Sequence, residues 1–380
     1  MSKYSVAQLQ RLNGRRSFSS GRRGGRRGST LRRWILGLLL VLILALVALA
    51  TYLYFIPAGR TSTETTYVFI QSGSDYQSLS TQLRKKLWLR FPELFDRLAL
   101  WRGLSDPQQP LRPGRYAVKK EMTMLQLIDH LQHGEQAPLI LTPPMLRTTD
   151  EVVDYFSQHL WVKRDSLQRA FSDSTLLSRY GIEPSYFYAR VLRQPLEVKW
   201  TISAEELLDS IQSNYSRFWK GERTEAATRL GFAPLQVLTL ASIVESETAK
   251  PEEYRRIAGL YLNRLREGMR LQSDPTVKYA TGKFYLHRIA GDILFTDSPG
   301  EHLKVKSPYN TYLYAGLPPS PILLPSIATI DSVLKAEPHG FLYMCAKEDF
   351  SGYHNFATTF SEHVINAKRY QEALNKRGIQ

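Results

Sequence analysis

The run LASIVESET sets two carboxylates, Glu245 and Glu247, among small and apolar residues. A carboxyl withdrawn from water loses the hydration that stabilises its charge, so its neutral form persists toward neutral pH and can serve as a general acid. Wound as a helix from Pro234 to Ala249, the segment brings Leu238, Ala241, Ser242, Thr248 and Ala249 within about 60° of Glu245. Glu247 falls roughly opposite, beside Gln236 and Thr239, although Ile243 and Leu240 share that side. Glu245 is therefore the candidate acid, and the two carboxylates should have different environments. The bland alternative is a structural glutamate paired with a buried arginine, for which Arg264 on the next helix is available.

Three later stretches suit sugar binding: Leu271 to Thr276 with Gln272, Ser273 and Asp274, then Tyr309, Asn310, Thr311 and Tyr312, then Gly316 to Pro321. Amides and hydroxyls match sugar hydroxyls, and tyrosine rings cover apolar sugar faces. Each stretch alone is weak, because Asp-Pro and Pro-Pro also punctuate ordinary turns. Cys345, His354 and His363 follow no zinc-ligand spacing, so neither a metal nor any other cofactor is expected, and His354, within GYHNF, reads as a site-wall residue.

The elements that must position these groups are legible in outline. Pro234 opens the Glu245 helix, and the next helix, Pro251 to Glu267, places Tyr254, Ile257, Ala258, Tyr261, Leu262 and Leu265 on one stripe before Gly268 stops it. Upstream, Thr66 to Ile70 reads as a strand, with Ser74 and Gln77 as a capping pair for a helix reaching about Arg84. Arg112 to Lys119 reads as turn then strand, and Thr123 with Gln126 caps a helix ended by Gly134. These form a small α+β module over residues 65–135. Pro143 and Pro144 precede a mostly helical section over 145–230, with caps at Thr148 and Ser203.

The net charge of +15 suggests nucleic acid, but residues 1–33 hold ten Lys/Arg and no Asp/Glu, leaving +5 for the rest. Trp34 to Ile56 follows, 23 uncharged residues, enough to cross a bilayer as a helix. Ala48, Leu49 and Ala50 resemble a signal-peptidase site, yet the apolar run is longer than a signal peptide needs. The expectation is a single-pass anchor in membrane lipid over 34–56, its basic tail 1–33 cytoplasmic and the bulk outside. GRRGGRRG is then a topology-setting segment rather than a nucleic-acid site. One cysteine excludes an intrachain disulfide framework.

With these segments together, residues 232–378 resemble the endolytic murein transglycosylase family, also called MltG or YceG-like. The resemblance rests on LASIVESET, YLNRLREGMRLQSDPTV, SPYNTY, GLPPSPI and FLYMCAKEDFSGYHNFA in that order. It extends with less specificity upstream, where the module over 65–135 resembles the family's LysM-like domain. The implied fold class is α+β: a transmembrane helix, a small LysM-like module, a helical middle section and an α+β catalytic domain. The implied activity is cleavage of the β-1,4 bond between N-acetylmuramic acid and N-acetylglucosamine within peptidoglycan strands, leaving a 1,6-anhydro end. The resemblance makes Glu245 the catalytic acid/base. Gln272, Ser273, Asp274, Tyr309, Asn310, Thr311, Tyr312 and His354 are the candidates for holding the strand. It also implies work on nascent strands at the inner membrane, beside peptidoglycan synthases. Arg193, Gln194, Pro195 and Leu196 stand where members carry Pro-Asn/Asp-Thr-Tyr, a departure that puts contacts from the middle section in question. Competing readings are a hydrolase of the same bond, with Glu247 or Asp274 as second carboxylate, and a non-catalytic wall-binding protein.

Overall fold

A computed structural model describes residues 26–106, 108–282 and 301–378, and most of the basic tail lies outside them. The chain forms two compact units, the first from the stretch up to Val68, Asp75–Pro110 and Val118–Gly134, the second from Phe69–Ser74, Leu111–Ala117 and everything from Glu135 onward.

Helix α1 (Arg26–Phe55) opens the first unit. Its segment Leu31–Phe55 has a mean hydropathy of 2.8 and is not buried inside the protein, as an anchor helix requires. Its described part runs from Arg26, ahead of the apolar run that starts at Trp34. It stops short of Pro57, whose ring disfavours helical geometry at the preceding residue. Strand β1 (Thr65–Ile70), helices α2 (Tyr76–Leu87) and α3 (Pro92–Arg102), strand β2 (Gly114–Lys119) and helix α4 (Met124–His133) follow, with β1 and β2 paired. Helix α3 is additional to the expected plan. Asp75, not Ser74, caps α2, its carboxylate accepting the Ser78 N–H. The α4 box forms as expected: Gln126 N–H donates to Thr123 Oγ1 and Thr123 N–H to Gln126 Oε1. Leu79, Leu83, Phe95, Met124, Leu127 and Ile128 are buried here.

The second unit starts with β3 (Leu139–Leu141), α5 (Thr149–His159), α6 (Arg164–Ser172) and α7 (Ser174–Ser178). A 3-10 stretch, Pro184–Arg190, leads to β4 (Leu196–Val198), antiparallel to β3 with Ile140 opposite Glu197. Helices α8 (Ala204–Phe218), α9 (Glu222–Leu230), α10 (Pro234–Glu247), α11 (Tyr254–Arg266), α12 (Asp274–Ala280) and α13 (Ile327–Leu334) follow. The hairpin β5 (Tyr343–Ala346) and β6 (His354–Ala357), with Ala346 opposite His354, precedes α14 (Phe360–Lys376).

Two cores hold this unit. One gathers Phe156, Phe171 and Phe187, the last two stacked at 4.2 Å, and also takes in Leu324 from the distant carboxyl-terminal part. The other surrounds α10, where Val237 to Val244 are all buried against Ile257, Ala258 and Tyr261 of α11 and Ile330 and Val333 of α13. Tyr215, Phe218 and Trp219 join this second core, so the middle helices and the last third fold together. Each fully buried Leu or Ile contributes about 1.5–3 kcal/mol. Because α10 is buried around its whole circumference, it has no solvent side against which a single packing face could be defined.

Candidate active site

Helix α10 ends at Glu247, with Thr248 as its C-cap, so both carboxylates leave the core in the final turn. They meet opposite surroundings. Glu245 Oε1 accepts from Arg193 Nη1 at 2.5 Å, and Oε2 accepts from the Ser326 backbone N–H at 2.6 Å and Thr329 Oγ1 at 2.7 Å. Its side chain is 12% exposed and Arg193's is 25%. Ser326 is the N-cap of α13, so Glu245 also sits at the positive end of a helix. Three donors, one of them cationic, thus converge on its two oxygens. The sequence expects Glu245 to be the proton donor; the structure gives it an ion pair with Arg193 and a place at the head of α13. Its partner is Arg193, not Arg264, which is committed to the Leu342 and Leu271 carbonyls at 2.6 and 2.7 Å. The departure at Arg193 thus supplies the very contact that holds Glu245.

Glu247 is half-buried and lines two clefts. Tyr261 donates to its Oε1 at 2.7 Å, and Ser273 Oγ donates to the same atom. Burial, reinforced by Glu247 itself, pushes the Tyr261 phenol well above its usual range, so it stays a donor. One cleft, about 400 Å³, is walled by Glu247, Gln272, Asp274, Tyr312, Cys345 and His354. The other, about 480 Å³, is walled by Met145, Arg147, Glu245, Glu247, Lys278 and Tyr279. Glu247 is common to both.

Of the residues expected to hold a sugar strand, Gln272, Asp274, Tyr312 and His354 share the first cleft. Gln272 takes a left-handed backbone (φ 51), and its N–H donates to the Thr311 carbonyl at 3.2 Å. Tyr312 donates its hydroxyl to Asp274 at 2.5 Å. Ser273 lies beneath, 1% exposed, its N–H bonded to Thr311 Oγ1 at 3.0 Å. Asn310 and Thr311, also expected to hold the strand, do not line this cleft. Both are buried: Asn310 ties down the Leu303 and Val305 carbonyls at 2.9 Å each, and Thr311 Oγ1 meets Thr276 Oγ1 at 2.9 Å. Tyr309 packs on Tyr279 with ring centroids 4.7 Å apart and meets Ser320 Oγ at 2.6 Å.

His354 is held by a residue the sequence did not single out. Glu253, 6% exposed, accepts the His354 backbone N–H on Oε1 at 2.8 Å and faces its Nδ1 with Oε2 at 2.8 Å. Thr248 Oγ1 donates to the same Oε2 at 3.1 Å. A carboxylate accepts, so Nδ1 carries the proton and Nε2 remains for the cleft. Glu253 thereby ties the residue after Glu247 to the imidazole. Cys345 and His363 share this wall, yet among the described residues no group of three His, Cys, Asp or Glu is arranged to hold a metal. Burial pushes the Cys345 thiol up, away from the reactive thiolate.

The helical wheel assumed one packing face, whereas α10 is buried all round and both carboxylates emerge only at its end.

A family model described as the YceG-like family matches residues 68–369. An "Endolytic murein transglycosylase" of Streptococcus pneumoniae strain D39 is 28% identical over 323 residues, covering 77% of this chain and 56% of that protein. The chain therefore spans about half the length of this relative. A protein of the same name from Bacillus subtilis strain 168 is 26% identical over 342 residues, 84% of this chain and 89% of its own. A crystallised yceG-like protein from Listeria monocytogenes is 26% identical and covers 80% of this chain and 99% of its own, with a TM-score of 0.48.

Proposed function

We propose that this chain, which belongs to the YceG-like family, is a membrane-anchored endolytic transglycosylase of peptidoglycan strands with Glu247 as its acid/base. The observation that carries this reading is that Glu247 is the carboxylate shared by two clefts. Cutting inside a strand needs room on both sides of the reacting bond. The names of the streptococcal and Bacillus relatives supply the substrate class.

A glycoside hydrolase ordinarily needs two carboxyl groups, one to protonate the leaving oxygen and one to attack or to activate water. One suffices when the nucleophile belongs to the sugar. Protonated Glu247 gives its proton to the glycosidic oxygen as the bond to muramyl C1 breaks. The C6 oxygen of that muramyl residue bonds to C1, and its proton passes to the Glu247 carboxylate. The carboxyl ends as it began, no water is consumed, and the product carries a 1,6-anhydro ring. Having the C6 hydroxyl on the reacting ring replaces the positioning of a second molecule. The Tyr261 and Ser273 hydroxyls fix Glu247 through Oε1. Gln272, Asp274, Tyr312 and His354 bind the strand on one side of the bond, and Arg147, Lys278 and Tyr279 lie along the other. Glu245 anchors α10 to Arg193 and α13.

Helix α1 holds the enzyme in the inner membrane with its basic end in the cytoplasm and the rest of the chain outside. The arrangement β1–α2–α3–β2 serves as the LysM-like module, beside nascent strands and their synthases. The test is to incubate the full-length protein in detergent with un-crosslinked glycan strands and weigh the products. Anhydro ends, lost in Glu247→Gln, are the expected result. Ends heavier by one water would mark a hydrolase, with Asp274 as the candidate second carboxylate. Strand binding without any cutting would mark a wall-binding protein.

A further inference from the structure

The first unit meets α1 without a linker. Two residues past the helix, Pro57 bridges to Thr123, and Gly59 bridges to Leu89. Ala58 donates its N–H to the Met122 carbonyl at 2.8 Å and accepts the Arg90 N–H at 3.0 Å. Gly59 lies so close to the end of α2 that a Cβ there would sit 2.3 Å from the Leu87 carbonyl oxygen, so only glycine permits this approach. The corner Trp88–Phe91, between α2 and α3, is thereby fastened beside the end of the anchor.

The height of that corner follows from one ring contact. Phe91 packs edge-on against Tyr52 of α1, with centroids 5.3 Å apart. Tyr52 lies three residues before the helix ends at Phe55, or about 4.5 Å back along the axis at 1.5 Å per residue. The apolar run from Trp34 to Ile56 is about 34 Å long on the same rise, slightly more than the ~30 Å hydrocarbon layer it would cross. Along the axis of α1, Phe91 is thus level with the last turn of the span.

The side chains at this level suit an interface. Trp88 is 72% exposed, at a left-handed backbone (φ 42) that caps α2, and Phe91 is 52% exposed. Tyr54 and Phe55 beside them are 65% and 78% exposed, and Lys85, Arg90 and Arg60 are exposed around the corner. Aromatic rings with a cationic fringe are the composition found where hydrocarbon gives way to headgroups.

We infer that the Trp88–Phe91 corner is a second membrane contact, inserted into the headgroup layer of the outer leaflet beside α1, with Trp88 and Phe91 among the lipids and Arg60 and Arg90 on lipid phosphates. The inference rests on the reading of α1 as a spanning anchor. The corner fixes the first unit against the bilayer surface instead of leaving it to swing on a tether.

The test uses the full-length protein with Cys345→Ser, carrying a single environment-sensitive fluorophore on Trp88→Cys or Phe91→Cys. Leu44→Cys, in the middle of the span, and Gln77→Cys, exposed at the far end of α2, are references. Each is reconstituted into phosphatidylcholine/phosphatidylglycerol vesicles and quenched by a headgroup-level nitroxide lipid or by aqueous iodide. Labels at 88 and 91 should be quenched by the nitroxide lipid, and several-fold less by iodide than the label at 77. Iodide quenching at 88 and 91 equal to that at 77, with Leu44→Cys lipid-quenched, overturns the contact and leaves the anchor standing. Shielding from both quenchers means a protein covers the corner and also overturns it. A Leu44→Cys label that no lipid quencher reaches removes the anchor and the contact together.

Discussion

Exchanging each glutamate of the pair for glutamine separates the acid from the anchor. In Glu245→Gln, the amide oxygen can keep the Ser326 N–H and Thr329 hydroxyl, but its NH2 then faces the Arg193 guanidinium, donor to donor. Breaking a buried ion pair costs about 3–5 kcal/mol. Arg193 is 25% exposed and keeps a 3.3 Å bond to the Leu324 carbonyl, so solvent and this second acceptor reduce the expected loss to about 2–3 kcal/mol. In Glu247→Gln the amide oxygen still accepts from Tyr261 and Ser273, so stability should change by less than about 1 kcal/mol. An amide cannot transfer the proton, and losing a general acid/base costs about 10²–10⁴ in rate. Urea titration gives the stabilities, and release of anhydro-ended fragments from glycan strands gives the rates. Glu247→Gln should be folded and inactive, whereas Glu245→Gln should be less stable and still cut at temperatures where it is folded. A Glu247→Gln enzyme that keeps cutting, or a Glu245→Gln enzyme as stable as the parent yet inactive, would refute the assignment.

Tyr261→Phe removes one donor from Glu247 Oε1 and should lower kcat by about tenfold, the equivalent of one hydrogen bond of about 1–1.5 kcal/mol, with little change in KM. Glu253→Ala leaves the His354 N–H, its Nδ1 and the Thr248 hydroxyl without their acceptor, so it should lose about 3 kcal/mol of stability. Glu253→Gln, which keeps one acceptor, should fold better yet raise KM for glycan strands through a misoriented imidazole. An unchanged KM would make Glu253 purely structural. Burial, helped by Arg264, holds the His363 imidazole below its ordinary 6.5, so the unfolded chain takes up the proton first on acidification. Its contribution to stability is therefore complete above pH 6.5 and is lost as pH falls from there toward the folded-state pKa, a slope that His363→Phe should flatten in pH-dependent unfolding.

What the sequence determined by itself is what short-range physics encodes. An uncharged apolar run sets α1 as a helix long and apolar enough to cross a membrane, because that depends on local length and composition. Side chain-to-backbone bonds spanning three residues set the caps at Thr123 and Ser203. Periodicity marked Ile257, Ala258, Tyr261 and Leu262 as the buried stripe of α11. The segments around Glu245, Gln272, Tyr312 and His354 were legible as a group that belongs together. Which carboxylate borders both clefts was not, because Glu245 is held by Arg193 across 52 residues and by Thr329 across 84, and His354 by Glu253 across 101. Neighbouring glutamates on one helix look alike until distant donors arrive. Only the tertiary fold supplies those donors, and it leaves Glu245 bordering one cleft and Glu247 bordering both.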